Sequence, residues 1–127
     1  MGWDVKSGGL HVVFSKSIPS IITNWLGPFI HQFLKDYQIA PKDVANFVAH
    51  PGGKKVLRAY EEALALTKEH TDVSREILKN HGNMSSPTVL YVLEQFMLKE
   101  NKANTHGLLV ALGPGFSGEA VLLEWRA

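Results

Sequence analysis

Apolar positions along the chain change their spacing several times, and each change marks a predicted element. The chain opens on a polar stretch with Gly8-Gly9. Leu10 to Phe14, "LHVVF", is a β-branched run and predicts a short buried strand. The period then lengthens: Ile22, Trp25, Leu26, Phe29, Phe33 and Tyr37 recur at helical spacing. Gly27-Pro28 interrupts this helix. Pro28 has no backbone donor, so a kink or a fresh helix start is expected there. "APKDVA" predicts a turn with a short helical piece. Asn46 to Pro51, "NFVAHP", predicts a brief apolar strand that stops abruptly on His50-Pro51-Gly52-Gly53.

The second half is mostly helical. "KKVLRAYEEALAL" is rich in good helix formers and sets Val56, Leu57, Tyr60 and Leu64 on one face. Thr71 is placed to cap "DVSREILKNH", and Gly82 suits the position just past its end. A helix from about Ser86 is expected to bury Val89, Val92, Leu93, Phe96 and Met97, with Pro87 in its first turn. Leu108 to Leu112 and Ala120 to Trp125 predict two strands that pair antiparallel, with "GPGFSG" as the turn between them. The order β-α-β-α-α-α-β-β defines an α/β fold, a mixed β-sheet with helices on its faces. No internal repeat interrupts it.

Composition narrows the class. The 127 residues suffice for one domain, spanning 1–127, with a real core. Apolar residues make up 45% and charged residues 20%, the range of a globular domain. A formal net charge of +1 gives no reason to expect nucleic acid or an anionic membrane as partner. No apolar run approaches the ~18 residues of a membrane span. The opening residues hold no signal core, and Lys6 stands where a myristoylation signal needs Ser or Thr. The expected location is the cytoplasm. There are no cysteines, so the chain has no disulfide framework, no cysteine-based zinc site and no cysteine nucleophile of its own.

Several residues are candidates for chemistry. His50 follows a buried strand and precedes Pro-Gly-Gly and a helix. Ligands of open α/β sheets gather outside the carboxyl ends of strands, where a His can act as acid, base or donor. The alternative is a His satisfied by a loop carbonyl. "GGKK" has the glycines, helix start and lysines of a phosphate cradle but not P-loop spacing; a tight turn with solvated lysines is the plainer reading. Asn83 in "GNMSS" sits before a helix, where Asn serves as cap or turn residue, and Ser85 and Ser86 read as caps. His11, His31, His70, His81 and His106 show no metal-site spacing. Met84 and Met97 read as core filler.

Taken together and in order, "AHPGG", "GNMSS" and "GPG", with "SKSIPSII" near the start, closely resemble the C-terminal half of type III polyketide synthases, the chalcone and stilbene synthase family. The resemblance runs from about Gly9 to Trp125. It implies a thiolase-like fold: two similar α/β halves in one five-layered subunit that forms a homodimer. It also implies a Cys-His-Asn catalytic set, with His50 and Asn83 as the His and Asn. Ser85 matches an active-site Ser, and Gly52 and Gly53, which follow the His in "HPGG", fall in the substrate site. Gly113, Pro114 and Gly115 match the "GFGPG" element that shapes the cavity. No cofactor is implied beyond coenzyme A thioesters as substrates, with acyl-CoA as starter and malonyl-CoA as extender. In that chemistry His50 Nε2–H and the Asn83 amide would donate to the thioester oxygen and to the enolate left by decarboxylation.

The departures from the family pattern are specific. Ala111 and Leu112 replace the first Gly and the Phe of "GFGPG", and Val12 falls on the position of the plant enzymes' gatekeeper Phe. These point to a roomier cavity suited to long aliphatic starters. The family's nucleophilic Cys lies in the N-terminal half, which this chain lacks, so the fragment alone is expected to be inactive, with that half as its partner. Two other readings are a non-catalytic association module and a relative of ketoacyl-ACP synthase III. The latter family carries "HQAN" and "GNTS" where this chain has "HPGG" and "GNMSS".

Overall fold

In the computed structural model, residues 2–13, 18–113 and 117–126 are described. Strands β1 (Gly2–Lys6) and β2 (Gly9–Val13) form an antiparallel hairpin of their own. This corrects the first predicted strand. It belongs to no buried sheet: Leu10 is 67% exposed and Val5 83%. Phe14 lies outside the described residues. The opening stretch, passed over as polar, is the partner strand.

One long helical segment follows. It comprises α1 (Ile18–Ile21), a π-helical turn (Ile22–Leu26) and α2 (Gly27–Asp36). The expected interruption at Gly27-Pro28 is thus a wide turn that closes with Gly27 N–H on the Ile22 carbonyl. Pro28 then sits in the first turn of α2, where its missing donor costs little. The helical spacing splits into two stripes, and only one of them is buried. Ile22, Leu26, Ile30 and Leu34, every fourth residue, are at most 1% exposed. The aromatic stripe one residue earlier in each turn faces outward. Trp25, Phe29 and Tyr37 are exposed, with Phe33 half-buried. Successive ring centroids of this stripe lie 5.7, 6.4 and 5.2 Å apart.

A short 3₁₀ turn (Pro41–Asp43) leads into β3 (Val44–Ala49), and then come α3 (Lys54–Ala63), α4 (Asp72–His81) and α5 (Pro87–Met97). The chain returns through β4 (His106–Gly113) and β5 (Ser117–Glu124). The sheet order is β3-β4-β5, with β3 and β4 parallel and β4 and β5 antiparallel as expected. Alternation across the sheet separates two cores. Phe47, Ala49, Leu108 and Val110 pack with α1, the π turn, α2 and α3. Val48 and Leu109 point the other way, onto Ile77, Val89, Val92 and Phe96 of α4 and α5. Sheet and helices therefore form three layers.

Two local expectations fail. Thr71 stands at the start of α4 but makes no capping bond there. Its hydroxyl donates instead to Glu61 Oε1, at 2.6 Å, and to the Lys68 carbonyl. Met97 is 64% exposed rather than core. Gly82 does occupy the position after α4, with φ +70, a left-handed backbone that suits glycine.

Candidate functional site

Parallel pairing places the first loop. β3 runs beside β4, and the His50 N–H makes a further bond to the Val110 carbonyl at 2.9 Å. The ladder thus extends through His50 before Pro51 ends it, leaving the imidazole at the carboxyl end of the strand. Behind it, the fully buried Ser74 of α4 donates its hydroxyl to the Ala49 carbonyl at 2.8 Å.

The second loop leads into α5. Ser85 has φ +67, uncommon for a residue with a side chain, and so its conformation must be held by its surroundings. Asn83 Oδ1 accepts the Ser85 N–H at 2.9 Å, an Asx turn, so of the two expected roles, cap or turn residue, Asn83 takes the second. Ser86 stands at the helix start without a side-chain capping bond. Thr88 does the tying instead. Its hydroxyl accepts the Met84 N–H at 2.8 Å and donates to the Ser85 carbonyl at 2.7 Å.

The two loops are cross-tied. His50 Nε2 lies 2.8 Å from the Ser85 carbonyl oxygen. A carbonyl only accepts, so Nε2 carries the proton. In the other direction the Asn83 amide nitrogen donates to the Gly52 carbonyl at 3.3 Å. Each loop therefore offers a carbonyl to the other loop's side-chain donor. His50 is half-buried, while Asn83 and Ser85 are exposed, so both donors can be reached from solvent. His50 is satisfied by a loop carbonyl, and that carbonyl belongs to the "GNMSS" loop.

The other sequence candidates are more dispersed. Gly53 precedes α3, and its carbonyl accepts the Leu57 N–H. Val12 lies in β2, opposite Trp3. Gly113 ends β4 opposite Ser117, while Pro114 and Gly115 lie outside the described residues. Among the described residues no hydrogen bond joins Val12 or Gly113 to the two loops, and no cluster of acidic, His or Cys side chains is set to hold a metal. A shallow groove of about 470 Å³ beside α2, lined by Thr23, His31, Gln32 and Lys35 among others, shares none of the candidate residues. Sequence reasoning missed Ser74 and Thr88. The available signal was a hydroxyl among the apolar positions of a helix, which needs a buried partner.

A β-sheet with helices on both faces, and two loops tied at a strand's carboxyl end, define an α/β protein with a polar site beside its sheet. Residues 2–125 match the family model of the chalcone and stilbene synthase C-terminal domain. The chain is 43% identical over 127 residues to a Bacillus subtilis (strain 168) protein named for chalcone synthase, covering 99% of this chain and 35% of that protein. It is 39% identical over 126 residues to 1,3,6,8-tetrahydroxynaphthalene synthase of Streptomyces peucetius subsp. caesius, covering 98% and 33%. The crystal structure of 1,3,6,8-tetrahydroxynaphthalene synthase from Streptomyces coelicolor A3(2) superposes with a TM-score of 0.89 at 27% identity, over 99% of this chain and 36% of that one. PKS-I of the brown alga Ectocarpus siliculosus gives 0.87 at 29% identity, over 97% and 34%. The chain belongs to the chalcone and stilbene synthase family, matching its C-terminal domain, and its fold is thiolase-like. It spans about a third of the length of these relatives. Among the described residues no helix is long and apolar enough to cross a membrane.

Proposed function

We propose that this chain is the C-terminal part of a type III polyketide synthase, an acyltransferase that extends an acyl-CoA starter with malonyl-CoA by decarboxylative Claisen condensation. The observation that carries this reading is the cross-tie of the two loops, which sets two N–H donors on adjoining loops against carbonyl oxygens. A thioester oxygen lying between the two loops would draw both donors from these carbonyls onto itself. As negative charge grows on that oxygen, both bonds strengthen, and each such donor is worth about 3–4 kcal/mol in the transition state. An enolate from decarboxylated malonyl thioester carries the same charge on the same atom. A carboxamide suits the role because it donates without titrating.

The nucleophile must come from elsewhere, since the chain has no cysteine. The N-terminal half of the family fold would supply it. The outer face of α5 supports such a partner, because Leu90, Tyr91 and Met97, with Leu98 just beyond, are exposed there. The complete subunit would be a homodimer that needs no metal or cofactor. The decisive experiment is condensation of acyl-CoA with malonyl-CoA by the complete polypeptide. Asn83→Ala and His50→Ala should each lower kcat about 10²–10³-fold. Unchanged kcat in either variant would reject the donor roles, and a covalent acyl adduct on the isolated 127-residue chain would reject its dependence on the missing half.

With Val12 at the gatekeeper position and Ala111-Leu112 before the "GPG" element, the cavity should favour long aliphatic starters. Comparing kcat/KM across acyl-CoA chain lengths tests this. A preference for a coumaroyl-type starter would overturn it.

A further inference from the structure

We infer that Thr88 is a positioning residue for both donors, acting through the Ser85 carbonyl. This rests on the function proposed for His50 and Asn83. Thr88 is fully buried, and its side chain touches neither donor in a hydrogen bond. Its hydroxyl nevertheless makes two bonds at once: it accepts the Met84 N–H and donates to the Ser85 carbonyl. The Thr88 N–H adds a bond to the same carbonyl at 3.0 Å. That carbonyl is also the acceptor of His50 Nε2. One oxygen is thus the junction between the start of α5 and the imidazole.

The same bonds hold Asn83. Ser85 sits in a left-handed conformation, and a serine keeps that geometry only under restraint. Thr88 restrains it from the carbonyl side and Asn83 Oδ1 from the N–H side. With Oδ1 engaged on Ser85, the amide nitrogen of Asn83 is turned toward the Gly52 carbonyl. Loss of the Thr88 hydroxyl would leave the Met84 N–H without its acceptor and take one of three bonds from the Ser85 carbonyl, loosening the reference point of both donors. A hydroxyl on the first turn of a helix is an ordinary capping group; here its acceptor is a carbonyl shared with the proposed catalytic His.

Thr88→Val keeps the shape and removes the hydroxyl, while Thr88→Ser restores it. In the 127-residue chain, amide hydrogen exchange and the imidazole N–H signal of His50 report the junction. T88V should speed Met84 exchange about five- to tenfold, the size of one modest hydrogen bond, and broaden the His50 Nε2–H signal. The Val92 and Phe96 amides should stay within about twofold, and T88S should return both reporters to wild type. Unchanged Met84 and His50 signals, or an equal loss of protection at Val92 and Phe96, would overturn the inference. If T88V does not fold, wild-type Met84 decides: exchange as fast as an exposed loop amide would equally overturn it. In the complete synthase, T88V should lower kcat with KM little changed, and T88S should restore it; an unaltered kcat counts against the inference. A wild-type protein with no condensation activity would sink the proposed function instead, and the exchange data would still decide what Thr88 holds.

Discussion

Tyr60 shows how one residue can be settled by its surroundings. Its ring meets Phe47 edge-on, with centroids 5.6 Å apart, and the residue is 1% exposed. The hydroxyl has no hydrogen-bond partner among the described residues, and burial pushes the phenol up from its usual value of 10. A buried hydroxyl without a partner costs about 1–3 kcal/mol of desolvation. Tyr60→Phe should therefore leave stability unchanged or raise it by up to about 1 kcal/mol, measured by urea unfolding. At this scale the sequence was legible where type and position both spoke. Tyr60 was placed on the core face of its helix, and Gly82 past the end of the next. It was illegible where a side chain bonds at long range. Thr71 looks like a cap, yet its hydroxyl reaches Glu61 on another helix. Thr88 looks like filler, yet it organises the loop before it. His50 and Asn83 were found because their neighbours form recognisable strings; the carbonyls they bond to carry no sequence signal at all.

Between elements, the Glu61–Arg75–Thr71 cluster ties α3 to α4 and to the turn before it. Arg75 pairs with Glu61, and Thr71 donates to the same carboxylate oxygen. Burial pushes the Glu61 carboxyl up, but the bonds from Thr71 and Arg75 and the charges of Arg75 and Lys68 outweigh it, so the net shift is downward from 4.5. A carboxyl lowered on folding stabilises the fold above its unfolded value and loses that contribution as pH falls through the folded one. Urea midpoints of wild type and Glu61→Gln should differ most near neutral pH and converge as pH drops below about 4.5. A constant difference across that range would contradict the assignment. The long helix before β3 shows what periodicity could not decide. Two stripes, Ile22-Leu26-Ile30-Leu34 and Trp25-Phe29-Phe33-Tyr37, each repeat every fourth residue and lie side by side. Helical spacing alone does not choose between them, and the core takes the slimmer aliphatic stripe. Trp25 bends over β5, where an added Cβ on Gly118 would meet its ring at 2.9 Å. The β1–β2 hairpin did leave a trace, since Trp3 and Val5 alternate with Asp4 and Lys6 before Gly8-Gly9.

As a whole, the molecule leaves apolar side chains outward on both helical faces. α1, the π turn and α2 bury their aliphatic stripe and turn Trp25, Phe29 and Tyr37 outward, and α5 covers the other side of the sheet and leaves Leu90, Tyr91 and Met97 outward. Apolar groups gathered on one helix favour association. The 127-residue chain should self-associate with rising concentration, and Met97→Glu with Leu98→Glu should shift it toward monomer in sedimentation velocity without lowering its unfolding midpoint. A wild-type chain that stays monomeric at high concentration would argue against a buried role for this face. The parallel pairing of β3 with β4 carries a consequence in time. Its two strands come from opposite ends of a long helical excursion, and contacts of such separation form slowly. On the ribosome, β3 emerges before α3, α4 and α5 and waits with a bare edge until β4 follows. The His50 N–H finds the Val110 carbonyl only then. The corner that holds His50 is thus assembled only after β4 has followed β3, and a chaperone would find the β3 edge exposed until then.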